Sequence, residues 1–398
     1  MEKFEDKVRI TGIGMSEVGR RLMRDPVELA TDACLAALAD AGLDRKDIDG
    51  LACHPGPQAA SGYSGAGVGQ VEEVLRIQPK WFMSGGEVPG HTGAVMAAAI
   101  AVAAGLCRHA LVFRCTWETT APALMRDPRY TAGLPGPGRA VSGDMLAYRI
   151  PFGAYSAGNW IGMAATRHMH LYGTKREHLG AIALNARRNA QGNPYAIYRD
   201  PLTMDDYLGA RMISTPFGLY DCDTPCDGAI AIVVSHRDTA KDTRRPSPIR
   251  LEAAGMQVSE RWSWDQGVLD HEPMLKGPAD SMWARTDLKP ADVDVAELYD
   301  GFTFNCLSWI EALGFCKHGE GGAFVEGGQR IALDGELPLN THGGQLSAGR
   351  LQGFSFLHEA CVQLWGEGEA RQVPNQPKVA CVSSGGGVPG GAMLLVRD

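Results

Sequence analysis

The stretch Gly85-Gly86-Glu87-Val88-Pro89-Gly90-His91-Thr92-Gly93-Ala94 runs straight into a helix of small apolar residues that ends near Gly105. From Thr92 to Cys107 there is no charged side chain. The helix has the small apolar composition of a buried one. Around it the chain reads as strands and helices in alternation.

It does so twice. The first helix is predicted from Asp25 as N-cap, Pro26 in the first turn and Glu28 as the partner of a capping box. Apolar positions then run from Val27 through Ala30, Cys34, Ala37 and Leu38 to Ala41, and Gly42 is the stop. A strand is expected at 50–53. The segment Leu43-Asp44-Arg45-Lys46-Asp47-Ile48-Asp49 has an echo 245 residues later in Leu288-Lys289-Pro290-Ala291-Asp292-Val293-Asp294, an offset that sets His54 against Tyr299. The glycine loop, small-residue helix and strand 110–113 of the first half likewise match a second-half glycine loop at 343–353, a helix at 354–364 and a strand at 379–382. Strand–helix alternation in both halves predicts an α/β layered fold built from two similar units.

Residues 114–222 read as an insertion in the first unit. Its Gly133-Leu134-Pro135-Gly136-Pro137-Gly138 suits a loop over a cleft or subunit interface, and helices are expected at about 161–172 and 176–191. Residues 239–248 read as the linker. The expected division is 1–245 and 246–398.

Composition narrows the function classes. With 398 residues the chain is long enough for two domain-sized cores. A formal net charge of −8 and a pI near 5.8 argue against nucleic acid or an anionic membrane as partner. No apolar run approaches the roughly 18 residues of a membrane span, and Met1–Asp6 does not resemble a signal peptide; the cytoplasm is the expected location. The ten cysteines are scattered, without the compact framework of a small secreted domain. Cys222 and Cys226 have no second ligand pair nearby to complete a zinc site, so no metal is expected.

Several segments together resemble the thiolase superfamily over essentially the whole chain. They are the glycine loop and its helix, residues 173–179, Asn193-Pro194-Tyr195-Ala196, Cys226-Asp227-Gly228-Ala229, Glu297-Leu298-Tyr299-Asp300-Gly301-Phe302, Asn340-Thr341-His342-Gly343-Gly344 and Ser383-Ser384-Gly385-Gly386-Gly387. The nearest branch is that of the sterol-carrier-protein-X-like thiolases, or lipid-transfer proteins, some of which are aldol lyases of steroid side-chain degradation. The resemblance implies a five-layered αβαβα fold, a homodimer, a coenzyme A thioester as substrate with no tightly bound cofactor, and a zinc-ribbon/OB-fold partner protein giving a heterotetramer.

Carried over residue by residue, the resemblance removes Claisen chemistry. The nucleophilic cysteine of the family, held where a helix N-terminus favours a thiolate, falls at Val88 when counted back from Gly105. The base histidine falls at Arg350, the second cysteine at Ser383, and the strand-end histidine or asparagine at Tyr299. The lyase branch also lacks the cysteine and uses a tyrosine at the Tyr299 position, but has a second tyrosine where this chain has Arg350. A guanidinium does not normally exchange protons; Arg350 would hold an anionic group or pair with Asp300.

The catalytic candidates are therefore Tyr299, His91, His342 and Arg350. Tyr299 would move the proton, His91 would act as base or thioester-oxygen donor, and His342 would be an oxyanion donor. Gly344, Ser383, Ser384, Gly385 and Gly386 are the candidates for lining the coenzyme A thioester. Trp160, Trp262, Trp264, Trp283 and Trp309 leave room for a bulky acyl group. The expected activity is retro-aldol cleavage of a β-hydroxyacyl-CoA without a covalent acyl-enzyme. The alternatives are a non-catalytic thiolase-like or acyl-CoA-binding subunit, and an acyltransferase whose nucleophile is elsewhere, with Cys381 the nearest thiol in sequence.

Overall fold

The computed structural model describes residues 3–56, 62–127, 129, 149–245, 248–258 and 275–397. The glycine- and proline-rich 133–138 segment, Trp262 and Trp264 lie outside the described residues.

Helix α1, Pro26–Ala41, begins as its cap predicts: Asp25 accepts from the Val27 N–H at 2.8 Å, and Gly42 ends it at φ +69°. Glu28 does not close a capping box; its carboxylate faces Arg24 at 3.8 Å. Helix α2 spans Val68–Leu75 and α3, the small-residue helix, Gly90–Ala103. The insertion contributes α4, Ala157–Tyr172, and α5, Arg176–Gln191. Helices α6 (Lys276–Trp283), α7 (Thr303–Ala312) and α8 (Phe354–Trp365) belong to the second half.

Strands β1 (Val8–Met15), β2 (Gly50–Cys53), β3 (Trp81–Ser84), β4 (His109–Trp117) and β7 (Asp227–His236) form one half of a nine-stranded sheet. Strands β8 (Ile249–Gln257), β9 (Val295–Glu297), β10 (Val379–Ser384) and β11 (Gly390–Val396) form the other. The insertion's β5 (Met212–Ser214) and β6 (Phe217–Gly218) make a separate hairpin. The large sheet has the order β3-β2-β4-β7-β1-β8-β11-β10-β9, which reads alike from both sides of its centre apart from the extra edge strand β3. Within the large sheet the two halves join, among the described residues, through two antiparallel pairs, Arg9 with Arg250 and Ile10 with Ile249.

The 245-residue echo is structural. A 3₁₀ turn at Arg45–Asp47 precedes β2, and one at Pro290–Asp292 precedes β9. Asp49 accepts from the N–H groups of Arg108 and His109 at the start of β4, as Asp294 does from Lys378 and Val379 at the start of β10. Each aspartate thus ties the start of the parallel neighbour to its own strand. We propose 1–245 and 246–398 as the two halves on this ground.

The layers follow from burial. Helix α3 touches β2, β4 and β7 of one half and β8, β10 and β11 of the other; α8 touches β9, β10, β1 and β7. Both therefore lie between the half-sheets, and their side chains join the inward faces of both in one apolar cluster. Helix α1 covers the outer face of the first half, and α5, α6 and α7 that of the second. Close approach of α1 to β1 needs glycine: a Cβ on Gly12 would lie 2.6 Å from the Ala37 carbonyl. The result is the five-layered αβαβα arrangement.

Candidate active site

The two central helices start beside the ends of β9 and β10, and the candidate residues gather there. Tyr299 lies two residues beyond β9, with its N–H donating to Ser383 Oγ at 3.0 Å. Its hydroxyl makes no hydrogen bond to the described residues. Burial first, and then the Asp223 carboxylate and the Tyr63 phenol, push its pKa above the usual tyrosine value; the Arg350 guanidinium works the other way. The resting group is a neutral phenol.

Arg350 is fixed as an ion pair, although not with Asp300 as expected. Its Nε donates to Glu118 at 2.8 Å and its Nη1 to Asp223 at 2.9 Å. Burial opposes its charge, but the two carboxylates hold the guanidinium pKa above its ordinary value. Asp223, driven up by burial against the pull of Arg350, reaches about 6. That is close to the operating range wanted of a general base.

Asp300 instead receives the Gln345 N–H at 2.8 Å and Asn340 Nδ2 at 3.1 Å. Burial raises its pKa to about 7. A proton held in the folded chain up to about pH 7, but released near 3.8 when unfolded, stabilises fully at pH 3.8 and below; the contribution is lost as pH rises towards 7. Asp300→Asn is expected to abolish this loss, read as a flatter urea-unfolding ΔG between pH 4 and 7 than in the wild type; an unchanged slope contradicts the assignment.

His91 is the second residue of α3 and fully buried, its ring edge-on to Phe354 at 6.0 Å. A Cβ on Gly353 would meet its Nδ1 at 2.5 Å. Burial, then neighbouring His54, lowers its pKa to about 3. A neutral imidazole of that kind is a poor base at neutral pH, so of its two expected roles the hydrogen-bond donor is the one the geometry leaves. His342 sends Nδ1 to Glu297 at 3.0 Å. Burial opposes its charge, yet the Glu297 carboxylate holds it above the ordinary histidine value.

The residues expected to line coenzyme A divide. Ser383 Oγ is taken by the Tyr299 N–H, and Ser384 Oγ bonds Thr92 Oγ1 and donates to the Pro89 carbonyl at 2.6 Å. Gly344 has φ +59°, and the space a Cβ would need is filled by the Asp300 carboxylate. All three are buried, which makes them supports of the site rather than its surface. Gly385 and Gly386 stay half-buried at the loop. Trp309 and Trp283 are likewise structural, donating to the Gly385 and Leu313 carbonyls.

Val88 stands two residues before α3, and a Cβ on Gly93 would lie 2.6 Å from its own. The residue at the turn itself is Gly90, at φ +48°, whose missing Cβ would point to Gln352 O and Ser384. The sharp turn therefore lies two residues past Val88, and neither position holds a nucleophile. Cys381 is fully buried in the outer cluster, whereas Ala380 and Val382 on either side face the central layer. Its side chain points away from the site.

Three neighbours escaped the sequence reading. Arg114 is fully buried in β4, donating to the carbonyls of His54 at 2.9 Å and Tyr63 at 2.5 Å, with its guanidinium 4.5 Å from the Tyr63 ring centroid. Tyr63 Oη reaches Gln352 at 3.3 Å. Glu118 follows β4 and meets Arg350. One arginine within the run Ala110-Leu111-Val112-Phe113-Arg114-Cys115 was the available signal, since an arginine in an apolar strand is seldom fully buried without a task.

A cleft of about 640 Å³ opens beside Asp223, walled by Arg20, Arg187, Tyr198, Tyr220 and Leu346. Around the site, both ring nitrogens of His91, His342 Nε2, Arg114 Nε and both amide atoms of Gln345 are buried without a partner among the described residues. Buried polar atoms are nearly always bonded, so their gathering marks the place of a polar ligand or water.

Comparison with known proteins agrees with this geometry. Residues 275–396 match the family model for the thiolase C-terminal domain-like region. The steroid side-chain-cleaving aldolase of Thermomonospora curvata is 32% identical over 98% of this chain and 97% of its own. The chain belongs to the thiolase superfamily. Within the superfamily it is also 33% identical to the 17-hydroxy-3-oxo-4-pregnene-20-carboxyl-CoA lyase of Mycobacterium tuberculosis, over 97% of this chain and 98% of the relative. Among solved structures of the thiolase fold, the Ltp2-ChsH2(DUF35) aldolase superposes with a TM-score of 0.85 at 30% identity, covering 98% of both chains. These relatives place the chain in the aldolase branch of the superfamily.

Proposed function

We propose that the protein cleaves the Cα–Cβ bond of a β-hydroxyacyl-CoA by retro-aldol chemistry, with no acyl-enzyme. The observation that carries this reading is a substitution of chemistry: the α3 N-terminus presents Gly90 and no thiol, while a phenol stands at the end of β9 beside an arginine-linked pair of carboxylates.

The Tyr299 phenol relays the β-hydroxyl proton towards Asp223, the carboxylate that acts on it most strongly, although no direct hydrogen bond joins the two among the described residues. The Cα–Cβ electron pair then moves onto the thioester as an enolate, and the β-carbon leaves as a ketone or aldehyde. His342, its pKa held up by Glu297 and its Nε2 without a partner among the described residues, is the donor for the enolate oxygen; His91 is a second, neutral donor. Proton return to Cα gives the shortened acyl-CoA. The cleft beside Asp223 is the route proposed for the thioester, and Gly385 and Gly386 are the glycines left at the loop to meet it. The names of the relatives support a bulky, steroid-like acyl group. The test is a panel of β-hydroxyacyl-CoAs with mass spectrometry of the products. Release of a carbonyl compound with a shortened acyl-CoA supports the proposal, and an inert panel in the presence of the partner supports the non-catalytic subunit instead.

The partner we propose is a zinc-ribbon/OB-fold protein of the DUF35 kind, as in the complex of the solved relative. We also propose a homodimer through β3. This edge strand offers an unpaired ladder, and Phe82 is 67% exposed on it; unprotected edges of this sort are ready to pair. Phe82→Glu is expected to convert dimer to monomer by light scattering. A wild type that is already monomeric overturns this arrangement. No helix among the described residues is long and apolar enough to cross a membrane.

A further inference from the structure

Away from the active site, the C-terminal ends of α4 and α7 meet a surface loop at three groups. These are His168 on α4, Glu311 on α7 and His318 in the loop that follows α7. His168 Nε2 lies 3.0 Å from one Glu311 oxygen and His318 Nδ1 lies 2.7 Å from the other. All three ligand atoms fall within 4.8 Å of one another. Glu311 also accepts the Gly321 N–H at 2.8 Å, so its carboxylate is held in place from the far side. His168 and Glu311 are buried, and His318 is half-buried with its side chain 30% exposed, which leaves an entry path.

We propose that His168, Glu311 and His318 form a binding site for a late first-row divalent metal ion, Zn²⁺ in particular. Two imidazoles and a carboxylate suit that ion, which takes nitrogen and oxygen ligands in tetrahedral array with a fourth position for water. Bonds of about 2.0–2.1 Å put tetrahedral ligand atoms about 3.3 Å apart. The two nitrogen–oxygen contacts, one to each Glu311 oxygen, open by about 0.3 and 0.6 Å to reach that spacing, and the two nitrogens must come to the same separation.

The outer contacts fit both states. His168 Nδ1 lies 2.9 Å from Thr174 Oγ1, and His318 Nε2 lies 3.2 Å from Tyr172 Oη. Without metal, each imidazole gives its proton to Glu311 and accepts from a hydroxyl. With metal, the tautomer reverses and each gives its remaining proton to the same hydroxyl, which accepts as readily as it donates. Metal-bound histidines ordinarily have such an orienting partner on the second nitrogen. Each imidazole keeps one proton in both states, so the exchange moves that proton from the Glu311-facing nitrogen to the hydroxyl-facing one and releases none. A bound ion would clamp the insertion's α4 to α7, whose N-terminus follows Tyr299.

The experiment uses the full chain without a histidine tag, stripped with a chelator and titrated with Zn²⁺ by calorimetry and with Co²⁺ by visible absorption. One Zn²⁺ per chain and the intense bands of four-coordinate Co²⁺ are expected. His318→Asn, on a surface loop, should weaken binding at least about 100-fold and Thr174→Val about tenfold. His170→Ala, an exposed histidine on the same helix, should bind as the wild type does. Substoichiometric Zn²⁺ binding by folded wild type, six-coordinate Co²⁺ spectra, or wild-type affinity in His318→Asn overturns the proposal.

Discussion

Replacing Tyr299 by phenylalanine is expected to lower kcat by about 10²–10⁴-fold, the usual worth of a positioned proton-transfer group, while KM and the urea midpoint of unfolding stay near wild-type values. The separation follows from the contacts. Tyr299 is anchored through its backbone N–H on Ser383, while its hydroxyl has no partner to lose among the described residues. Removing that oxygen therefore costs chemistry and not structure. The same relay predicts an acid limb near pH 6 in kcat/KM, because Asp223, at about 6, accepts a proton only when ionised. Activity should rise through that pH and then level, and the limb should vanish in Asp223→Asn. A Tyr299→Phe variant that turns over at the wild-type rate removes the phenol from the mechanism.

Replacing Arg350 by methionine should act on both fold and rate. Arg350 holds Glu118 and Asp223 together, with side-chain exposures of 9% and 12% for the two carboxylates. Without the guanidinium, two largely buried anions face each other unpaired. Breaking a buried ion pair from one side costs about 3–5 kcal/mol; the 27% exposure of Arg350 places the loss at the lower end, about 3 kcal/mol. Asp223 should then hold its proton to higher pH, which moves the acid limb of the rate profile upward. Tyr299 loses a nearby cation that lowers its pKa, and kcat should fall by about 100-fold. Arg350→Lys keeps a charge without the planar fork and should recover stability more than rate. A methionine variant as stable as wild type, or one with an unmoved acid limb, contradicts this role.

How legible the chain was depends on what kind of physics each feature uses. Local signals carried the elements: Asp25 and Gly42 bracket α1, and the run of small residues after Gly90 has the composition of a buried helix. The repeated aspartates Asp49 and Asp294 were legible as an echo in the sequence, but their task was not, since each bonds the start of a strand 59 to 85 residues further on. The misses at the site lie where a long-range contact decides: Arg350 chose Glu118 and Asp223 over Asp300, partners 232 and 127 residues away in sequence. Glu28 left its capping box for a nearer competitor, Arg24 four residues before it. Ser383, Ser384 and Gly344 have the composition of a ligand loop, but burial turns them inward. The two-residue shift from Val88 to Gly90 has a similar cause: the chain's turn is set by φ at Gly90, which composition cannot locate within a run of glycines.

The central claim is cleavage without an acyl-enzyme. Its most direct measurement is a single-turnover reaction with a β-hydroxyacyl-CoA, free coenzyme A omitted, in which small-molecule products and the intact protein mass are followed together. The account predicts one carbonyl product and one shortened acyl-CoA for each substrate consumed, with the mass of the chain unchanged throughout. An absolute requirement for free coenzyme A, accompanied by a transient acyl adduct on a cysteine, would contradict it.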